Sequence, residues 1–284
     1  MSLPPEIFTI VHPYLFLPDI SSLVLTNREV NRWVGMNDVI REYHLAVKNN
    51  GGNIAFIACR HGYINLLMYL HHTGTTIPDD AISYASEHGH LSVVKYLYSI
   101  GANPATDDNH PMIRASAGGH LPIVEYLCTI GINPTINNNS AIKKASANGH
   151  LDVVKYLHSV GADPTTNNDT PLRWAIDNGH LDVIKYLHSV GADPTTQDNC
   201  AIQWASHSGR LSVVEYLCSI GVDPTANNNA PIIWATKSGH LHIIKYLHSV
   251  GADPISCNNF PIRLAFKRGY YSVVEYLCNN GATL

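Results

Sequence analysis

Apolar residues recur along most of this chain in two short alternating patterns. In one copy Leu172, Ala175 and Ile176 share a face at helical spacing, Gly179 interrupts, and Val183, Ile184, Leu187 and Val190 form a second face. The pattern predicts two short helices, the first stopping at Gly179, the second starting near Leu181, and Gly191 supplying a left-handed stop. Thr170-Pro171 precedes the first face. Thr is suited to capping there, and Pro to the first helical position, where a missing N–H leaves nothing unpaired.

The register returns every thirty residues: Gly149 to Pro164 reads GHLDVVKYLHSVGADP and Gly179 to Pro194 reads GHLDVIKYLHSVGADP. A chain written this way buries its apolar faces between neighbouring units, so its function is expected to be binding rather than chemistry. Its 284 residues, 45% hydrophobic, would strain a single core, but a solenoid grows in one dimension and escapes that limit.

These residues resemble the ankyrin repeat, whose signature of Thr-Pro-Leu-His, two Ala, Gly-His-Leu and Gly-Ala-Asp is matched most fully from Thr170 to Asp193. The resemblance implies an all-α, ankyrin-type helix-turn-helix solenoid with hairpin fingers. The family's usual repeat is about 33 residues, and the interval from Gly161 to Thr170 places the shortening in the finger. Finger tips read Asn137-Asn138-Asn139, Asn167-Asn168, Asn227-Asn228-Asn229 and Asn258-Asn259, as expected of tight turns, because Asn tolerates positive φ; an Asn-rich interaction stripe is the rival reading. Residues 80–284 hold seven regular units, the last a C-terminal cap with Phe260, Phe266, Lys267, Arg268, Tyr270 and Tyr271 in place of smaller residues. Residues 45–79 read as a degenerate first repeat. The near-identical units and Asn-rich fingers are also similar to ankyrin-repeat proteins of giant amoeba-infecting DNA viruses.

Residues 1–44 carry no repeat. Leu3-Pro4-Pro5-Glu6-Ile7, Tyr14-Leu15 and Leu17-Pro18-Asp19-Ile20 follow in the order in which an F-box, a small helical module, places such residues. This resemblance implies docking on the Skp adaptor of a cullin ubiquitin ligase through Leu3, Pro4, Ile7, Leu15, Pro18 and Ile20. The alternative is a helical cap lying on the first repeat, which needs an apolar face but not that Leu-Pro and Pro-Asp punctuation.

Net charge is −4 with both signs dispersed, which points to neither nucleic acid nor a membrane surface as partner. The start lacks a basic n-region and no eighteen-residue apolar run occurs, so a cytoplasmic protein is expected, in the host cell if the viral likeness holds. Cys128, Cys218 and Cys278 share a slot in non-adjacent units, beyond the reach of about 7 Å between Cα atoms that a disulfide allows. His90, His120, His150, His180 and His240 recur once per unit at the helix–helix turn, a spacing expected of structural hydrogen bonding and not of a metal. Phosphate loops, His-Glu-x-x-His and nucleophile elbows are absent from the sequence, and no cofactor, metal or catalytic residue is expected.

Binding is then expected where surface slots vary. One slot reads Tyr84, Arg114, Lys144, Trp174, Trp204, Trp234 and Leu264. The tryptophans, with Arg173, Asp177, Gln203, His207, Lys237 and Arg263 beside them, are the candidate target-binding residues, Trp being favoured at hot spots; stacking between units is the competing role for the rings. A second file, Lys95, Glu125, Lys155, Lys185, Glu215, Lys245 and Glu275, reads as an inter-unit ion-pair ladder of little energetic weight. The expected function is a non-enzymatic interaction module, in its fullest form a substrate-recruiting adaptor of a Skp-cullin ligase whose concave face holds a protein target, a host protein on the viral likeness. A plain ankyrin scaffold is the alternative.

Overall fold

The computed structural model of the chain describes residues 54–72, 74–105 and 110–284. The adaptor-binding positions Leu3, Pro4, Ile7, Leu15, Pro18 and Ile20 lie outside these residues. The described residues form sixteen helices and no strand, arranged as eight successive helix-turn-helix pairs. Two compact units are separated between Asn133 and Pro134.

In the unit Pro134–Leu284 each first helix packs on its own second helix and on the first helix of the next pair. The burial follows the apolar pattern: Leu172, Ala175, Ile176, Val183, Ile184 and Leu187 are all buried. Each such branched aliphatic removed from water contributes roughly 1.5–3 kcal/mol. The first unit repeats the scheme, with Ile82, Ala85, Val93, Val94 and Leu97 buried.

The boundaries fall where the glycines place them. The helices Thr166–Asn178 and Leu181–Ser189 flank Gly179, which takes a left-handed φ of 84°. At the next turn but one, Gly209 has φ 77°, and a Cβ there would stand 2.8 Å from His240 Cε1. Both the backbone sign and the approach of the following unit's ring demand glycine. His240 Nε2 is 3.1 Å from the His207 carbonyl, His180 Nε2 3.0 Å from that of Ala147, and in the first unit His120 Nε2 lies 2.8 Å from that of Glu87. These turn histidines thus tie their pairs to an orphan carbonyl at the end of the preceding first helix, as structural hydrogen bonding requires. Where the sequence substitutes Arg210, its Nε donates to the Asp177 carbonyl at 3.2 Å.

Among the described residues the fingers contain no hairpin strands. Asn167, Asn168 and Asp169 take φ of 54°, 54° and 58°, and the sets Asn137–Asn139, Asn227–Asn229 and Cys257–Asn259 repeat this left-handed turn. Such a conformation costs roughly 1–2 kcal/mol per ordinary L-residue, which Asn reduces through local hydrogen bonds. The tips serve their neighbours too: Asn139 Oδ1 accepts the Asp163 N–H at 3.1 Å, Asn229 Oδ1 that of Asp253 at 2.8 Å, and Asn138 Nδ2 donates to Asn167 Oδ1 at 2.7 Å. Turn chemistry accounts for the asparagines. The expected Thr cap is corrected: the Thr170 hydroxyl donates to the Asn167 carbonyl at 2.7 Å, closing the tip rather than accepting a helix N–H.

The last pair differs from those before it. Phe266 is 55% exposed in the slot where Ser146, Ile176, Ser206 and Thr236 are fully buried, and Tyr271 is 72% exposed.

Candidate interaction face

Two helix files run along the unit Pro134–Leu284, and their side chains are held differently. On the second helices every junction is built around a tyrosine. His158 Nδ1 is 2.8 Å from the Tyr186 hydroxyl and Lys155 Nζ 5.6 Å from its ring centre; His188 and Lys185 hold Tyr216 in the same way, and His248 and Lys245 hold Tyr276. The ion-pair ladder read from Lys155, Lys185, Glu215, Lys245 and Glu275 is therefore corrected: the lysines cover the next unit's tyrosine ring, and among the described residues no pair of this file forms a salt bridge. The reason is helical phase, since the ring one residue beyond the partner charge lies in front of the ammonium. Burial raises the pKa of the Tyr186, Tyr216 and Tyr276 hydroxyls. In Glu-bearing units cysteine replaces the histidine. Cys218 bonds Tyr246, and burial raises its thiol pKa. None of the six cysteines, all of them among the described residues, is in a disulfide.

The first helices carry the variable face. Trp174, Trp204 and Trp234 are each half-buried. Cations lie over their rings: Lys144 Nζ is 5.2 Å from the Trp174 ring centre, the Arg173 guanidinium 4.7 Å from that of Trp204, and Lys237 Nζ 4.1 Å from that of Trp234. The His207 ring meets Trp234 edge-on at 5.2 Å, and its Nδ1 is 2.8 Å from the Ser238 hydroxyl. The tryptophans are neither a bare aromatic ladder nor ring-on-ring stacks; each ring is a platform under a cation, an attraction worth about 0.5–1 kcal/mol at exposed sites.

Asp177 sits among these groups. Burial pushes its carboxyl pKa up, and the charges of Arg173, His207 and Arg210 partly offset this. Gln203 shares the slot of Arg173 one unit on and is half-buried. Arg263 diverges from the group: its guanidinium donates to the Asn258 carbonyl in its own finger, and Leu264 takes the Trp slot. A shallow pocket of about 10 Å³, roughly one water, opens beside Arg173, Trp204, Asp169, Asp193 and Pro194. The Asp193 carboxylate there accepts the Thr195 N–H and hydroxyl, which lowers its pKa.

In the first unit the same slot holds Tyr84, with the Arg114 guanidinium 5.5 Å from its ring centre and paired to Glu87. Sequence reasoning missed Arg210 and the tyrosine junctions. The signal for the latter was present, as a Tyr that never varies one residue after the Lys/Glu slot.

A stack of helix-turn-helix pairs with locked junctions on one helix file and a variable aromatic face on the other defines a repeat-type protein-interaction module. A family profile described as "Ankyrin repeats (3 copies)" matches residues 44–138, 82–168, 111–198, 142–228 and 202–284, and the chain belongs to the ankyrin-repeat family. No curated protein matches it. Among solved structures it is similar to the human ASB11 ankyrin repeat domain, with a TM-score of 0.55 and 23% identity over 61% of this chain and 85% of that one; the likeness is one of fold. No helix of the described residues is long and apolar enough to cross a membrane.

Proposed function

We propose that this chain is a recruiting adaptor: the face around Trp174, Trp204 and Trp234 holds a protein target, and residues 1–44 engage a Skp-type adaptor of a cullin ligase. The observation that carries the target face is the contrast between files. The second-helix tyrosine recurs in every unit with its hydroxyl held by the preceding unit's histidine at Tyr186 and Tyr216, whereas the first-helix slot changes from Lys144 through Trp174, Trp204 and Trp234 to Leu264, its half-buried rings lying beside the exposed Lys144 and Arg173. Large rigid rings next to arginine are the residues that dominate binding energy at protein interfaces. The adaptor arm is supported by the order of Leu3-Pro4, Ile7, Leu15, Pro18 and Ile20 in the sequence. On the viral likeness the target is a host protein and the site of action the host cytoplasm.

The test uses the full chain with purified Skp adaptor. Wild type is expected to bind, a Leu3→Ala/Pro4→Ala/Ile7→Ala variant to lose binding, and a Trp174→Ala/Trp204→Ala/Trp234→Ala variant to retain Skp while losing its captured target. Failure of the wild-type chain to bind Skp overturns the ligase arm and leaves an ankyrin scaffold.

A further inference from the structure

The charge of the variable face runs against that of the whole chain. In the unit Pro134–Leu284 the stripe consists of the Trp slot, the residue before it and the residue three after it. Apart from the buried Lys143 and from Arg263, which turns to its own finger, it presents Lys144, Arg173, Lys237 and Lys267 against the single carboxylate of Asp177, in a chain whose net charge is −4. Asp163, Asp193 and Asp223 at the finger bases each give one oxygen to the N–H and hydroxyl of a Thr two residues on. Lys144 and Arg173 lie exposed on tryptophan faces. A guanidinium stacked on a ring keeps its N–H edge available in a fixed plane, the arrangement that receives a carboxylate bidentately.

We infer that this stripe recognises an acidic, extended segment of its protein partner, whose carboxylates meet Lys144, Arg173 and Lys237 and whose intervening apolar side chains pack on Trp174, Trp204 and Trp234. The inference rests on the interaction face proposed above and adds the chemistry of what it holds. Spacing sharpens it. Neighbouring packed helices stand about 8–10 Å apart and an extended chain advances about 3.3 Å per residue, so equivalent slots are met at about every third residue. The matched motif is an acid at every third position with an aliphatic or aromatic residue between.

The experiment follows tryptophan fluorescence of the full chain titrated with a synthetic peptide bearing Glu at every third position and Leu between, its Glu→Gln counterpart, and a single-stranded oligothymidylate. The Glu peptide is expected to bind, the Gln peptide on the order of tenfold more weakly, and affinity to fall as salt shortens the screening length from about 10 Å toward about 3 Å. Arg173→Gln/Lys237→Gln is expected to lose the Glu peptide with its far-ultraviolet spectrum unchanged, and Asp177→Asn to bind it several-fold more tightly by removing the one like charge. Equal affinity for Glu and Gln peptides, no binding of either, or tighter binding of the oligonucleotide overturns the inference. If the captured protein target is lost by the tryptophan variant but kept by Arg173→Gln/Lys237→Gln, the interaction face stands and the acidic-partner inference falls.

Discussion

The first and second helices of Pro134–Leu284 come from the same thirty-residue repeat yet serve opposite ends. On the second helices, tyrosine recurs in each unit at positions 156, 186, 216, 246 and 276, and its partners change only between Lys with His and Glu with Cys. On the first helices the slot that runs Lys144, Trp174, Trp204, Trp234 and Leu264 changes size and charge while the buried slots around it do not. The constant file carries cohesion between units, and the variable file is the one proposed to carry recognition.

The comparison breaks hardest in the shared core. Leu187→Ala, at a fully buried position, is expected to cost about 2–5 kcal/mol and to lower the denaturant midpoint, and target binding would suffer with it. Trp204→Ala separates the files: target affinity is expected to fall by about 2 kcal/mol or more, measured by calorimetry, with a smaller loss of stability because the ring is half-buried. If stability falls and affinity does not, the ring belongs to cohesion. Tyr216→Phe is the converse, removing the partner of His188 and costing about 1 kcal/mol of stability at unchanged target affinity.

The smallest effect is one of pH. Burial is the main reason that the His240 pKa is lowered, so its charged form is disfavoured in the fold. Its contribution is present above the ordinary histidine value of 6.5 and is lost as pH falls through the depressed one, because the unfolded chain binds the proton first. The denaturation midpoint is expected to decline more over this range for wild type than for His240→Gln.

Helix boundaries were legible because glycine and apolar spacing act locally, and Gly179 and Leu181 stand where the pattern placed them. The finger tips were legible for the same reason: Asn137 to Asn139 carry their conformational preference in their own side chains. What depended on phase between units was not. A Lys155–Lys185 or Lys185–Glu215 step looks like a charge ladder when units are aligned slot on slot, but neighbouring helices meet slightly out of register, and the ammonium reaches the ring at the next position. The Trp slot was found by its variation, whereas its cations come from the preceding unit for Trp174 and Trp204 and from the same unit for Trp234. That difference lies in side-chain reach, which slot alignment does not carry.

The tyrosine junction has a consequence for how such a chain can grow. Within Pro134–Leu284 each second helix carries the same ring together with a Lys-His or Glu-Cys grip, and either grip seats the ring of the unit that follows. The joint is thus indifferent to which copy follows which. Whole cassettes can be duplicated, lost or reshuffled within such a stack without refitting the seam, and each exchange deals a new order of side chains onto the opposite face.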